Sequence, residues 1–198
     1  MALVAWTLVL GFVGFMVGAA RWRIEYEQSP DRALPVMHAD RFRLRWIHWW
    51  MVPSVVLTTA GLTGLAWLVS DPGAALAAGA YAVGAVLWVG ALLFRLSVGE
   101  WAAEWTAERG EVPEVYEPLA RWAGLGHAVH MVAAYLSAIP LARAVEAAGL
   151  VPTWLAWAGS VWGLGLAALF LVPRTRFVAA PPFWAHVFTL AVGMSLLL

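Results

Sequence analysis

Long apolar runs alternate with short polar stretches along the whole chain. A helical run of about 20 apolar residues is long enough to cross the hydrocarbon core of a bilayer. Apolar runs of this kind predict membrane-spanning helices at 2–20, 46–70, 74–97, 122–147, 151–172 and 178–198. The pattern therefore predicts one integral membrane domain over residues 1–198, an all-α polytopic helical bundle with about six transmembrane helices.

Composition agrees with this prediction and excludes several kinds of chemistry. Hydrophobic residues make up 63% of the chain and charged residues 12%, and the mean hydropathy is +0.77. The absence of cysteine excludes disulfides, thiolate-bound iron–sulfur clusters and covalently attached c-type haem. All basic residues are arginine, so a lysine Schiff base is excluded. The net charge of zero gives no indication of a nucleic-acid partner.

The arginines predict how the chain lies in the membrane. All 12 except Arg143 lie in or beside the connections 21–45 and 98–121 and the connection between the last two spans. Loops rich in arginine usually stay in the cytoplasm. We expect a bacterial inner-membrane protein with the N-terminus outside, its first helix retained rather than cleaved as a signal peptide. Glu100, Glu104 and Glu108 recur at helical spacing, so the third span is predicted to continue as a helix beyond the membrane.

Four of the five histidines lie near the start of predicted spans. His48 opens the second span, His127 and His130 open the fourth, and His186 follows Pro181-Pro182 in the sixth. These spans run in the same direction, so the sequence places the four imidazoles in one half of the bilayer. Ionisable side chains inside spans usually face the bundle interior and indicate a functional site. The fifth histidine, His38, lies in the hydrophilic first loop and needs no special role.

Imidazoles on different helices are typical ligands of a b-type haem or a metal ion. His127 and His130 lie on one face of their helix, which small side chains continue. A metal-ion site built from His48, His130 and His186 is the alternative to haem. A hydrogen-bonded histidine at the membrane interface is the simpler reading of any one of the four, but four at a similar depth favour a shared site.

The stretch RFRLRWIHWWMVPSVVLTTAGLTGL at 41–65 resembles the first conserved helix of the formate dehydrogenase gamma-subunit and related bacterial b-type cytochromes. That helix carries an Arg, two variable residues and His-Trp, matched here by Arg45 to Trp49. A Thr-Gly-Leu turn follows at the same spacing, here Thr63-Gly64-Leu65. The resemblance implies an axial haem-ligand role for His48 near the cytoplasmic face, and Arg45 beside it is a candidate partner of the haem propionates.

The third span departs from this family, because it lacks the histidine that usually binds a second haem. One haem b is therefore expected, with His130, His127 or His186 as the partner of His48. A second stretch, GAVLWVGALLF, resembles a helix of the copper-resistance protein D family, where Tyr81 stands near the place of that family's histidine. This second resemblance implies copper handling, with methionines as further ligands.

The sequence thus predicts a membrane b-type cytochrome subunit rather than a stand-alone enzyme. It would pass electrons between a catalytic or electron-carrier partner subunit and quinone in the surrounding lipid. A histidine-lined copper-ion or proton transporter is the first alternative. A cofactor-free scaffold subunit of a respiratory complex is the second.

Overall fold

The computed structural model describes all 198 residues, and all its regular elements are helical. The α-helices are α1 Ala2–Ala19, α2 Pro30–Ala39, α3 Arg41–Val69, α4 Pro72–Phe94, α5 Glu100–Arg109, α6 Tyr116–Ala147, α7 Thr153–Leu171, α8 Arg176–Ala179 and α9 Val187–Ser195. Two 3-10 turns, Ile24–Glu27 and Pro182–His186, and a π turn, Arg95–Gly99, complete the regular structure. The predicted all-α helical bundle is confirmed.

Five helical segments are long and apolar enough to cross a membrane, so the chain is a multi-pass membrane protein. They are Ala2–Ala19, Arg41–Val69, Pro72–Arg109, Tyr116–Ala147 and Thr153–Leu171. These helices contain most of the first five predicted spans. Large apolar side chains such as Trp67, Val86 and Leu164 point outward from the bundle. Such a surface is suited to contact with lipid.

The C-terminal segment differs from the predicted sixth span at 178–198. Apart from the last two residues of α8, only Val187–Ser195 forms an α-helix there, and its nine residues extend about 14 Å, less than half the thickness of the hydrocarbon core. Pro181 and Pro182 interrupt the helix, because proline lacks the N–H that the helical ladder needs. Side chains from neighbouring helices bond the interrupted backbone instead. The Tyr135 hydroxyl donates to the Ala179 carbonyl, and the Trp162 indole N–H donates to the Trp184 carbonyl.

The five long helices pack in chain order, and α9 closes the bundle against α1. Helix α1 lies on α3, α3 on α4, α4 on α6, and α6 on α7. Glycines allow the first of these contacts to be close. A side chain at Gly14 would overlap Ser54, and one at Gly11 would overlap Thr58. Small residues at helix contacts let the backbones approach, which strengthens packing within a membrane.

The arginine-rich end of the bundle carries a polar layer outside the predicted membrane. Helix α4, the π turn and α5 form one continuous rod of 38 residues, about 57 Å long. The predicted continuation of the third span as a helix is therefore confirmed. Arg45 of α3 donates two hydrogen bonds to Glu100, at 2.8 and 2.7 Å, and Arg41 pairs with Glu104 at 3.2 Å. Helix α2 packs on α5 and completes the layer.

Candidate functional site

His130 and His186 lie together in the interior of the bundle. His130 is on α6 and His186 ends the 3-10 turn before α9, and both side chains are fully buried. The Tyr81 ring stands edge-on to both imidazoles, with centroids 5.4 Å from His130 and 5.7 Å from His186. We refer to His130, His186 and the aromatic residues around them, Phe15, Tyr81 and Trp88, as the histidine site.

Three stacked contacts connect the two imidazoles through aromatic rings. His130 stacks on Trp88 of α4 with centroids 4.4 Å apart, and Trp88 stacks on Phe15 of α1 at 5.5 Å. Phe15 then stacks on His186 at 4.0 Å, with 21° between the ring planes. Phe15 of α1 and Tyr81 and Trp88 of α4 therefore form aromatic walls around the two histidines.

All four ring nitrogens of His130 and His186 lack a hydrogen-bond partner. A side chain at Gly84 would lie 3.3 Å from the His130 Nδ1 atom, so α4 passes close to this nitrogen. Leaving a buried donor or acceptor unpaired costs about 1–3 kcal/mol. Sets of unpaired polar groups in a native interior call for an explanation, and a ligand that binds the nitrogens supplies one. This arrangement is the main chemical feature of the site.

Two buried hydroxyls extend the polar part of the site toward α3. The Tyr81 hydroxyl and the Thr58 hydroxyl lie beside each other across the α3–α4 contact. Neither of them has a hydrogen-bond partner of acceptable geometry. The interior of the bundle therefore holds unpaired polar atoms from α3, α4, α6 and the C-terminal segment.

His127 lies one turn before His130 on the same helix and is half-buried. Its ring is 5.7 Å from Trp88 and 6.5 Å from Phe170 of α7. The predicted common face of His127 and His130 agrees with their shared contact with Trp88. His127 borders the histidine site but does not join the contact between Tyr81, His130 and His186.

His48 is fully buried but lies apart from the other three histidines. Its Nδ1 is 2.7 Å from the Leu44 carbonyl oxygen, and its Nε2 has no partner. With the proton on Nδ1 donated to that carbonyl, Nε2 is left free, which is the usual state of a metal-bound histidine. The His48 ring makes no ring contact with the rings of the histidine site.

The packing of α1 on α3 shows how far His48 lies from the histidine site. A side chain at Gly14 would overlap Ser54, and the adjacent Phe15 stacks on His186, so the site lies near the level of Ser54 on α3. His48 is six residues before Ser54, about 9 Å along the helix. This distance keeps the His48 ring from contact with the rings of the site.

The remaining predicted ligands and charges are also separated. His48, His130 and His186 do not form a metal-ion site, because no three histidine or acidic side chains converge on one point. Arg45 makes its bidentate pair with Glu100, which is not part of the histidine site. Phe15 and Trp88 were missed in the sequence as parts of this site, and Tyr81 was noted only through the resemblance to the copper-resistance protein D family. A Trp, a Tyr or a Phe inside an apolar span is common, so its position alone gives no signal.

Two grooves open on the outside of the bundle. The larger, about 520 Å³, lies between α3 and α4 at the end opposite the arginines, where Ala75 and Gly79 are among its small lining residues. The smaller, about 150 Å³, lies between α7 and α9 and is lined by apolar side chains apart from the indole of Trp162, whose N–H is bonded. Val187 and Phe188 in this second groove directly follow His186 in the chain.

No protein-family model, curated protein or solved structure matches this chain. The resemblances to the formate dehydrogenase gamma-subunit and to the copper-resistance protein D family therefore stay predictions.

Proposed function

We propose that this chain is an electron-transfer subunit that binds one b-type haem between His130 and His186 and exchanges electrons with membrane quinone. The observation that carries the proposal is the pair of fully buried imidazoles, on separate helical elements, whose four nitrogens have no partners. A b-type haem takes one axial nitrogen from each of two such histidines. Aromatic and aliphatic walls without charged groups suit the body of the macrocycle.

The chain's own residues would hold the haem and keep water away from it. His130 and His186 would each supply a nitrogen ligand to the iron, and Phe15, Tyr81 and Trp88 would form the apolar walls. When bound, the haem supplies one-electron transfer at its iron. His48 is not assigned to this pair, because the ring contacts that join His130 and His186 do not include it. Its role as a ligand, which the family resemblance implies, stays a prediction.

The rest of the proposal concerns the surroundings of the site. The electrons would pass to or from a partner subunit that oxidises the substrate. The polar layer of α2 and α5 at the arginine-rich end offers a surface for that subunit. By the positive-inside rule this end faces the cytoplasm of a bacterium, which places the N-terminus outside the inner membrane.

Single-histidine variants test the haem assignment. His130→Ala and His186→Ala are each expected to remove the reduced-minus-oxidised b-type absorption signal, because each removes one axial ligand. His38→Ala is the matched control, because His38 lies on α2 outside the bundle and bonds only Arg41. Haem content measured as pyridine haemochrome should stay unchanged in this control. Normal haem content in both His130→Ala and His186→Ala would refute the proposal.

A second candidate function is a histidine-lined copper-ion or proton transporter. The interrupted C-terminal segment favours it, because broken helices within the membrane are characteristic of transporter binding sites. His186 lies at this interruption, next to His130 and the unpaired hydroxyls of Tyr81 and Thr58. Bound copper in haem-free protein, lost in His186→Ala, would favour the transporter over the cytochrome.

A further inference from the structure

The connection between α1 and α2 holds two arginines that form no ion pair. Five other arginines at this end of the bundle lie within ion-pair distance of an acidic side chain, namely Arg41, Arg43, Arg45, Arg95 and Arg121. Arg21 and Arg23 have no such partner, although Arg23 is half-buried. A charged group that is partly removed from water is stable when an opposite charge or an acceptor pairs with it. The Arg23 guanidinium is therefore open to an anion from outside the chain.

The hydroxyl of Tyr26, in the 3-10 turn that follows Arg23, also lacks a partner. The Tyr26 side chain is 3% exposed, and its hydroxyl forms no hydrogen bond. Burial and the Asp40 carboxylate raise the pKa of Tyr26, so the hydroxyl stays protonated and able to donate. The charge of Arg23 also acts on this phenol, and more strongly than that of Glu25. Buried hydroxyls usually find an acceptor, and here the chain supplies none.

Arg23 and Tyr26 lie at the level of the lipid headgroups. The membrane-spanning helix α1 ends shortly before them in the chain. The Arg21 guanidinium lies 4.9 Å from the ring centroid of Trp46 and 5.8 Å from that of Phe42, which is 57% exposed. Aromatic and arginine side chains at the end of a span are characteristic of the interface between membrane and water. The phosphate groups of anionic lipids are the anions concentrated at this level.

We propose that Arg23 and the Tyr26 hydroxyl bind the phosphate group of an anionic phospholipid, with Arg21 at the edge of the site. An arginine matches phosphate oxygens with two parallel N–H groups, and the phenol adds a further donor. The nearby Asp40 carboxylate is bonded to the backbone nitrogen of Arg43 at 3.1 Å and to its side chain at 3.0 Å, so its charge is compensated. A free phosphate ion offers the same chemistry and is the competing source. The site is separate from the histidine site and needs no haem.

Tyr26→Phe tests the role of the hydroxyl, because it keeps the ring and the charge and removes only the donor. In delipidated protein the hydroxyl is unpaired, so Tyr26→Phe should melt at the same or a higher temperature than the unsubstituted protein. With phosphatidylglycerol added, the variant lacks one hydrogen bond to the lipid and should melt at a lower temperature. The inference requires this reversal of order on addition of lipid. Melting curves that keep the same order in both conditions would overturn it.

Arg23→Gln tests the charged part of the site, with Arg32→Gln as the matched control. Arg32 is exposed on α2, so its substitution removes the same charge from the same end of the protein. Native mass spectrometry measures how much phosphatidylglycerol each variant retains. Arg23→Gln should weaken this binding by about tenfold, because it removes a charge-assisted pair, and Arg32→Gln by less than about twofold. Equal losses in the two variants would show diffuse attraction of lipid to the basic surface and would overturn the site.

Two further probes identify the source of the phosphate. Phosphatidylcholine carries the same phosphate group with a compensating positive charge, so it should bind more weakly than phosphatidylglycerol. Inorganic phosphate should not raise the melting temperature, whereas phosphatidylglycerol should raise it, because a ligand stabilises the folded protein that binds it. Equal binding of the two lipids would overturn the assignment to an anionic lipid. Stabilisation by inorganic phosphate that Arg23→Gln abolishes would overturn it in favour of a soluble phosphate.

Discussion

The ring of Phe15 lies almost parallel to the imidazole of His186, with centroids 4.0 Å apart. This contact joins the first helix to the interrupted C-terminal segment, which are separated by nearly the whole length of the chain. Because Phe15 also stacks on Trp88, it lies between α4 and the C-terminal segment. The position of His186 in the interior therefore depends on a side chain from α1.

Phe15→Ala is expected to destabilise the protein by on the order of 3 kcal/mol, because it removes a fully buried ring and leaves a cavity. Hydrogen exchange should increase most in 182–195, which loses its contact with α1. Thermal unfolding in detergent measures the first effect, and exchange with mass spectrometry measures the second. Phe177→Ala is the control, since Phe177 is 76% exposed and its loss should change stability by less than about 0.5 kcal/mol.

Gly14→Ala is expected to weaken the contact between α1 and α3. The added methyl group would overlap the Ser54 side chain, and overpacking of this kind costs about 1–3 kcal/mol. Gly124→Ala is the matched control, because nothing lies within contact distance of a side chain there. It should leave stability unchanged or raise it by up to about 1 kcal/mol through helix propensity. Similar unfolding curves for the two variants would contradict the close packing of α1 on α3.

Asp71 caps the start of α4, where its carboxylate accepts the backbone N–H of Gly73 at 2.7 Å. Asp71→Ala should cost about 1 kcal/mol, because the first N–H groups of the helix lose this acceptor. Asn has a similar capping preference, so Asp71→Asn should restore most of the lost stability. An equal loss in both variants would show that the charge of Asp71, rather than its capping oxygen, stabilises the helix.

Arg45 is expected to act through its pair with Glu100 rather than through a cofactor. A double-mutant cycle of Arg45→Gln and Glu100→Gln should give a coupling energy of about 0.2–1 kcal/mol, because the pair is partly exposed to solvent. The coupling should decrease at high salt. Haem content in Arg45→Gln should equal that of the unsubstituted protein. A loss of haem would restore Arg45 as a partner of the haem propionates.

Sequence patterns predict the long helices well because each needs only a continuous apolar run. The acidic residues at helical spacing also give the extension of α4 into α5. The sixth span was predicted less well. Its hydropathy alone predicts one continuous helix, but Pro181-Pro182 divides the segment. The divided segment is bonded by side chains of other helices, such as Tyr135, whose hydroxyl donates to the Ala179 carbonyl 44 residues away in the sequence. A local sequence pattern does not show such distant contacts.

The histidine site was only partly predictable. Burial of His130 and His186 follows from their place in apolar runs, but their shared contact with Tyr81 depends on how α4 and α6 pack. His48 shows the opposite case, since a local motif marks it strongly although it lies about 9 Å along α3 from the level of the histidine site. Local patterns mark the residue types, and the relative depth of the helices decides which of them meet.

The absorption spectrum of the purified protein tests the central claim most directly. We expect a dithionite-reduced minus air-oxidised spectrum with a sharp b-type signal, and a pyridine haemochrome yield of about one haem per chain. A flat difference spectrum from protein purified with its native partners would contradict the cytochrome assignment. Elemental analysis for copper would then test the transporter.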